Sequence, residues 1–178
     1  MIPETEHVWV PQLYATITSW LHMFGTNLHM VDDRLYVGNI ASAADAEDLV
    51  ERGITHIVSA TQFGSAAVFH PDKFSYCVVK VQDVPDANLK QHIDSVVQFV
   101  TDALGVGGSV LIHCNGGRSR SVTLAAAYLT TVTELSPVGA IERIRVHRSE
   151  ARPNPGFVRQ LAAWHCETRG VQSNPRRQ

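Results

Sequence analysis

The sequence has few cysteines and no close pair of them. Cys77, Cys114 and Cys166 stand far apart without a CxxC spacing, which excludes a disulfide framework and a cysteine-built zinc site and suits a reducing compartment, the cytoplasm with the nucleus as the alternative. The nine histidines include no HxH or HExxH spacing, so neither a metal nor a cofactor is expected. A run of Lys and Arg is missing apart from Arg176-Arg177, and the formal net charge is -2; nothing offers a polyanion a basic footprint, which excludes nucleic acid as a partner. No internal repeat and no low-complexity segment interrupts the chain, and no basic leader with an apolar core opens it, so a solenoid and a secretory signal are not expected.

Charge itself is absent over one long stretch. From His7 to Val31 there is no Asp, Glu, Lys or Arg, while Val10, Leu13, Ile17, Trp20, Leu21 and Phe24 recur at helical spacing. Residues 1–33 are therefore expected to form an N-terminal helical extension that packs on the domain, with a homodimer contact or a surface contact as the alternatives. Thr, Ser, Gln, His and Asn interrupt the stretch too often for a transmembrane segment.

What is present fits one globular domain: 178 residues, 44% hydrophobic and 18% charged. "RLYVGNI", "ITHIVSA", "FSYCVVKV" and "SVLIHC" have the look of short buried strands. Between the first two lies "ASAADAEDLVERG", a helix that Ser42 can cap and Gly53 can stop. Between the last two lies a helix with Leu89, Ile93, Val96, Val97, Val100 and Leu104 on one face. The chain then turns helical, through "SVTLAAAYLTTV", a helix capped by Ser136 with Pro137 in its first turn, and a last helix started by Asn154-Pro155 that faces Phe157, Leu161 and Trp164 inward. Strands alternating with helices predict an α/β fold, a central, mostly parallel twisted sheet flanked by helices. The domain is expected over residues 34–168, with a disordered tail over 169–178.

One stretch asks for a chemical explanation. "IHCNGGRSRSV" puts a cysteine, two glycines and two arginines between an apolar strand and a helix, the place where α/β sheets bind ligands. Gly116 and Gly117 let the backbone of Asn115, Arg118 and Ser119 fold into an amide cradle for an anion, and the following helix N-terminus adds its dipole. Arg120 supplies a planar cationic fork that matches two oxygens of a phosphate. The same field favours the thiolate form of Cys114, so a phosphate would be held against an attacking sulfur.

"HCNGGRSRS" resembles the HCxxGxxR[ST] signature of the protein tyrosine phosphatase superfamily. From about Arg34 to Trp164 the order of motifs, including "LYVGNIASAADAEDLVERGITHIVSAT", "AAAYL" and "RPNPGFVRQL", is similar to the small, atypical dual specificity phosphatases. Gly116 and Arg118 depart from the family's commoner residues without removing a catalytic group. The resemblance implies that Cys114 forms a phosphocysteine, that Arg120 and the amides of residues 115–120 stabilise the phosphoryl oxygens, and that Ser121 helps the sulfur leave. His113 would orient the loop. A leaving oxygen also needs a proton; "VQDVPDANL" offers Asp83 and Asp86, and Asp83 matches the family's general acid. Asn154 matches a family position, with helix capping as its expected job, and Cys77 and Cys166 are expected in the core. Phosphorylated proteins, modified on tyrosine, serine or threonine, are the implied substrates. The alternatives are a phospholipid or other non-protein phosphate, suggested by Arg118 at the pocket mouth, and a catalytically silent phosphate-binding scaffold.

Overall fold

The computed structural model describes residues 27–172, so the apolar face from Val10 to Phe24, and with it the expected dimer or surface contact, lies outside the described residues. Five strands form a single sheet: β1 (Leu28–Asp32), β2 (Leu35–Gly38), β3 (His56–Thr61), β4 (Ser75–Lys80) and β5 (Val110–His113). Their order is β1-β2-β5-β3-β4, with β1 antiparallel to β2 and the remaining pairs parallel. The expected mostly parallel sheet is present, with β5 at its centre and all four of its residues buried.

Period-2 alternation divides the core between the two sheet faces. Val110 and Ile112 point to the larger core together with Val37, Val58 and Val79, whereas Leu111 joins Ile57 in the smaller one. Helices α3 (Ile93–Gly105), α4 (Arg120–Val132), α5 (Pro137–His147) and α6 (Pro155–Gln172) contribute to the larger core. The faces predicted from their spacing are buried: Ile93, Val96 and Val100 on α3, and Phe157, Leu161 and Trp164 on α6. Ser136 caps α5, its Oγ accepting from the Gly139 amide at 3.1 Å. Among the described residues no single helix is long and apolar enough to cross a membrane.

Five expectations are corrected. Residues 28–32, assigned to the helical extension, are strand β1; the hairpin turns through Asp33-Arg34 with Arg34 at φ 52°, a left-handed position where no glycine announces the turn. The helix over 41–53 is two short ones, α1 (Ile40–Ala44) and α2 (Ala46–Glu51), because Asp45 ends the first and caps the second, accepting from the Asp48 amide at 3.1 Å. The cap of α1 is Asn39, whose Oδ1 accepts from the Ser42 amide at 2.8 Å; Ser42 is buried inside the first turn. Residues 169–172 continue α6 instead of opening a disordered tail, since Arg169 is anchored to Glu134 at 2.9 Å and to the Thr133 carbonyl at 3.0 Å. Cys166 is exposed, on the side of α6 opposite Phe157, Leu161 and Trp164, whereas Cys77, half-buried, packs against the larger core as expected.

Candidate active site

The end of β5 delivers His113 and Cys114 to the edge of the sheet, and the loop of residues 114–119 runs from there into α4. Cys114 is 1% exposed, its Sγ 3.2 Å from the Oγ of Ser121 in the first turn of α4. The positive end of the α4 dipole is thus directed at the sulfur.

Four of the loop's carbonyls have partners in the surrounding scaffold. Asn115 O accepts from the Ile40 amide at 3.1 Å and Arg118 O from the Arg152 amide at 2.8 Å. Gly116 O and Gly117 O accept from Arg148, from Nη2 at 3.2 Å and Nε at 2.6 Å. In a trans peptide the N–H points opposite to the C=O of the same plane. Binding those four carbonyls on the outside therefore turns the amides of Gly116, Gly117, Arg118 and Ser119 toward the hollow of the loop, which is an anion cradle. Gly117 makes the curve possible: it sits at φ 64°, and a Cβ there would lie 2.6 Å from the Gly38 carbonyl oxygen.

Arg120 is 3% exposed. Its Nη1 donates to the Val81 carbonyl at 3.0 Å, which fixes the guanidinium beside the end of β4. Its Nε has no hydrogen-bond partner among the described residues and lies 3.7 Å from Asp83 Oδ2. A buried donor left unsatisfied is costly, and an oxyanion in the loop would satisfy it.

Asp83 stands on the turn that follows β4. Its Oδ1 accepts from Ser119 Oγ and from Asn154 Nδ2, both at 2.7 Å. Asp86, its rival in the sequence, is on the exposed outer part of the same turn. Asn154 does cap α6, accepting from the Phe157 amide at 3.0 Å, and its amide side chain reaches Asp83 as well. His113 is fully buried, and burial, helped by the charge of Arg120, pulls its pKa down to about 3. The imidazole is therefore neutral in the physiological range, which suits support of the loop and rules out a resident imidazolium.

Asn115, Gly116 and Arg118 also line a neighbouring cleft of about 300 Å³ with Asn27, Asn39, Ile40 and Glu150. Ser119 spends its hydroxyl on Asp83. So the loop positions 115–120 are brought together through their backbones, and only Arg120 adds a side-chain cation beside Cys114.

One residue escaped the sequence reading. Arg148 follows α5 and is 0% exposed, with Nη1 donating to Asn27 O at 2.9 Å and Asn27 Oδ1 at 2.8 Å in addition to its two bonds to the loop. Burial draws its pKa down while Glu150 and Cys114 hold it up; a guanidinium stays charged all the same, so a second cation is bonded to the loop from outside. Locally it reads as an ordinary basic residue at a helix C-terminus; no spacing marks it as a support for residues 116 and 117.

A cysteine and a cationic fork around an amide cradle, with a carboxyl held at its rim, have the parts for nucleophilic attack on a tetrahedral anion with proton donation. Residues 35–167 match the family model of the dual specificity phosphatase catalytic domain. The chain is 39% identical over 132 residues to dual specificity protein phosphatase 1 of Arabidopsis thaliana, spanning 74% of this chain and 66% of that protein. It is 36% identical over 137 residues to human dual specificity protein phosphatase 22, covering 77% and 73% of the two chains. A solved mouse putative dual specificity phosphatase, complexed with zinc tungstate, superposes with a TM-score of 0.76 at 29% identity over 84% of this chain and 93% of that one. With the family model covering most of its length, the chain belongs to the dual specificity phosphatases.

Proposed function

We propose that this chain hydrolyses phosphate monoesters of tyrosine, serine and threonine in proteins, through a phosphocysteine at Cys114. The observation that carries the assignment is the convergence of Cys114, Arg120 and Asp83, from β5, α4 and the turn after β4, on one amide-lined hollow. Sulfur attacks phosphorus and the S–P bond forms as the P–O bond to the leaving group breaks. Arg120 and the loop amides hold the charge on the equatorial oxygens, and the proton of Asp83 passes to the leaving oxygen. Water then attacks the phosphocysteine and Asp83 takes its proton. The S–P bond breaks with Ser121 donating a hydrogen bond to the departing sulfur, and inorganic phosphate leaves.

The three cysteines are free of one another, which fits a reducing compartment, cytoplasm or nucleus, where removing phosphate from proteins would serve signalling. Arg118, exposed at the cleft beside the loop, favours a second reading in which the substrate is a phospholipid or another non-protein phosphate. Glu150 lines the same cleft and works against a second anionic group there, so phosphoproteins are the better fit.

Turnover of phosphotyrosine and phosphoserine peptides, set beside a phosphoinositide and phosphatidylglycerophosphate panel, tests the assignment. Peptide kcat/KM above that of every lipid supports it, and the reverse order transfers the activity to lipids. No turnover of any of these, or of a small aryl phosphate, makes the chain a phosphate-binding scaffold.

A further inference from the structure

The general acid is held from a place remote in sequence. Besides the bond from Asn154 Nδ2 to Asp83, the Asn154 backbone amide donates to Ser119 Oγ at 3.1 Å, so the hydroxyl that donates to Asp83 is itself oriented from α6. Two residues on, Gly156 is in such close contact with the Pro85 carbonyl that a Cβ would overlap it. A turn further, Gln160 Oε1 accepts from the Leu89 and Lys90 amides, both at 2.9 Å, and its Nε2 donates to Ala87 O at 2.8 Å. Residues 154, 156 and 160 thus meet residues 83, 85, 87, 89 and 90 in the same order along the helix, while Leu89, buried in the core, anchors the far end of the segment and residues 83–86 are exposed.

We propose that the N-terminal part of α6 is the positioning element for the acid: Asn154, Gly156 and Gln160 clamp the segment 83–90 so that Asp83 is set over the Cys114 loop before substrate arrives. The proposal rests on Asp83 being the acid. Its Oδ1 accepts two hydrogen bonds, which leaves Oδ2, on the Arg120 side, as the oxygen that carries the proton. When the P–O bond breaks, the Oδ2–H bond breaks with it and the proton goes to the leaving oxygen. An acid displaced by about 1 Å loses much of this assistance while the sulfur and the cradle are untouched. The clamp therefore matters most for esters whose alcohol or phenol is a poor leaving group. Asn154, Gly156 and Gln160 are positioning residues and touch no reacting atom.

The test compares kcat/KM for phenyl phosphate with that for 2,4-dinitrophenyl phosphate, whose leaving group needs little protonation. Asn154→Ser keeps a capping oxygen and loses the reach to Asp83; Gly156→Ala pushes Pro85 outward; Gln160→Ala releases the far end of the segment. Urea unfolding establishes that each variant is folded. Asp83→Asn serves as the reference, with a loss on phenyl phosphate of about 10²- to 10⁴-fold. Each clamp variant is expected to lose at least about tenfold more on phenyl phosphate than on the dinitrophenyl ester, with a flattened alkaline limb of the pH–rate profile, following Asp83→Asn in kind. If Asp83→Asn discriminates between the esters and the folded clamp variants lose equally on both, or lose nothing, the clamp is structural only and the proposal is overturned. If Asp83→Asn itself fails to discriminate, the assignment of the acid falls first and the clamp with it.

Discussion

Arg148 Nε donates to the Gly117 carbonyl at 2.6 Å, joining a fully buried guanidinium to the apex of the loop that faces Cys114. The bond works in two ways. It keeps a carbonyl dipole out of the hollow, where it would repel an anion, and it fixes a positive charge beneath the amides that would bind one.

Replacing Arg148 by Met is expected to leave the acceptors on Gly116, Gly117 and Asn27 without donors. Each unsatisfied buried acceptor costs about 1–3 kcal/mol, so a clear fall in the urea midpoint is expected, with vanadate affinity and kcat/KM reduced more than tenfold. Arg148→Lys, a single point of charge, should fall between the two. A folded Met variant with near-normal vanadate binding would dismiss Arg148 as a support of the loop.

Gly117→Ala puts a Cβ against the Gly38 carbonyl and Arg148 Nη2 at a left-handed backbone position. Loss of stability by about 1–3 kcal/mol and of most activity is expected. Gly116→Ala, whose Cβ would meet only the flexible Arg118 side chain at 3.5 Å, should be mild on both measures. Equal effects of the two substitutions would show that the curve at Gly117 has no special demand.

Cys114→Ser is expected to abolish turnover with the fold retained, because a hydroxyl in that position is a poor nucleophile. Ser121→Ala, which removes the group 3.2 Å from the sulfur, should slow the second step more than the first. Rapid-quench measurements would then show a burst of phenol followed by a slower steady state. A Ser121→Ala enzyme without a burst, slow from the first turnover, would assign the hydroxyl to attack and not to release.

Acid should destabilise the fold through His113. Its pKa is about 3 in the folded protein against 6.5 in a free histidine, so below pH 6.5 the unfolded chain binds a proton that the folded chain refuses. Stability from this group is complete above pH 6.5 and declines as the pH falls toward 3, by at most about 1.4 kcal/mol per pH unit. His29, also lowered by burial, acts in the same direction. Urea midpoints between pH 7.5 and 5 should drop for the parent and drop less for His113→Asn; parallel declines would place the sensitivity elsewhere.

The parts of this molecule with a local signature were legible in its sequence. The four parallel strands are apolar runs bounded by turns, and the loop after Cys114 pairs residue types whose chemistry makes sense only around an anion. Asp83 stood out as a carboxyl just past a strand end. Its bond to Asn154 had no such signature, because residues far apart in sequence meet only through the packing of α6. Arg148 was hidden for the same reason. Strand β1 was hidden because its turn uses Arg34 where glycine or asparagine is the usual signal. The exposure of Cys166 was readable and was missed: nine positions after Phe157 at 100° per residue is half a revolution from the buried face.

The strand order has a consequence for how the chain is made. β2 and β3 follow one another in sequence, yet β5 lies between them, with Leu35 and His56 both paired to Val110. Until β5 emerges from the ribosome, the hairpin of β1 and β2 and the pair of β3 and β4 are two unconnected ribbons, each with an open hydrogen-bonding edge. Closing the sheet requires a long loop to be closed first, a slow kind of step. The strand that completes it is the one that leads into Cys114. Synthesis interrupted before residue 110 is expected to leave an aggregation-prone nascent chain, while a closed sheet already carries Cys114 in its place at the edge.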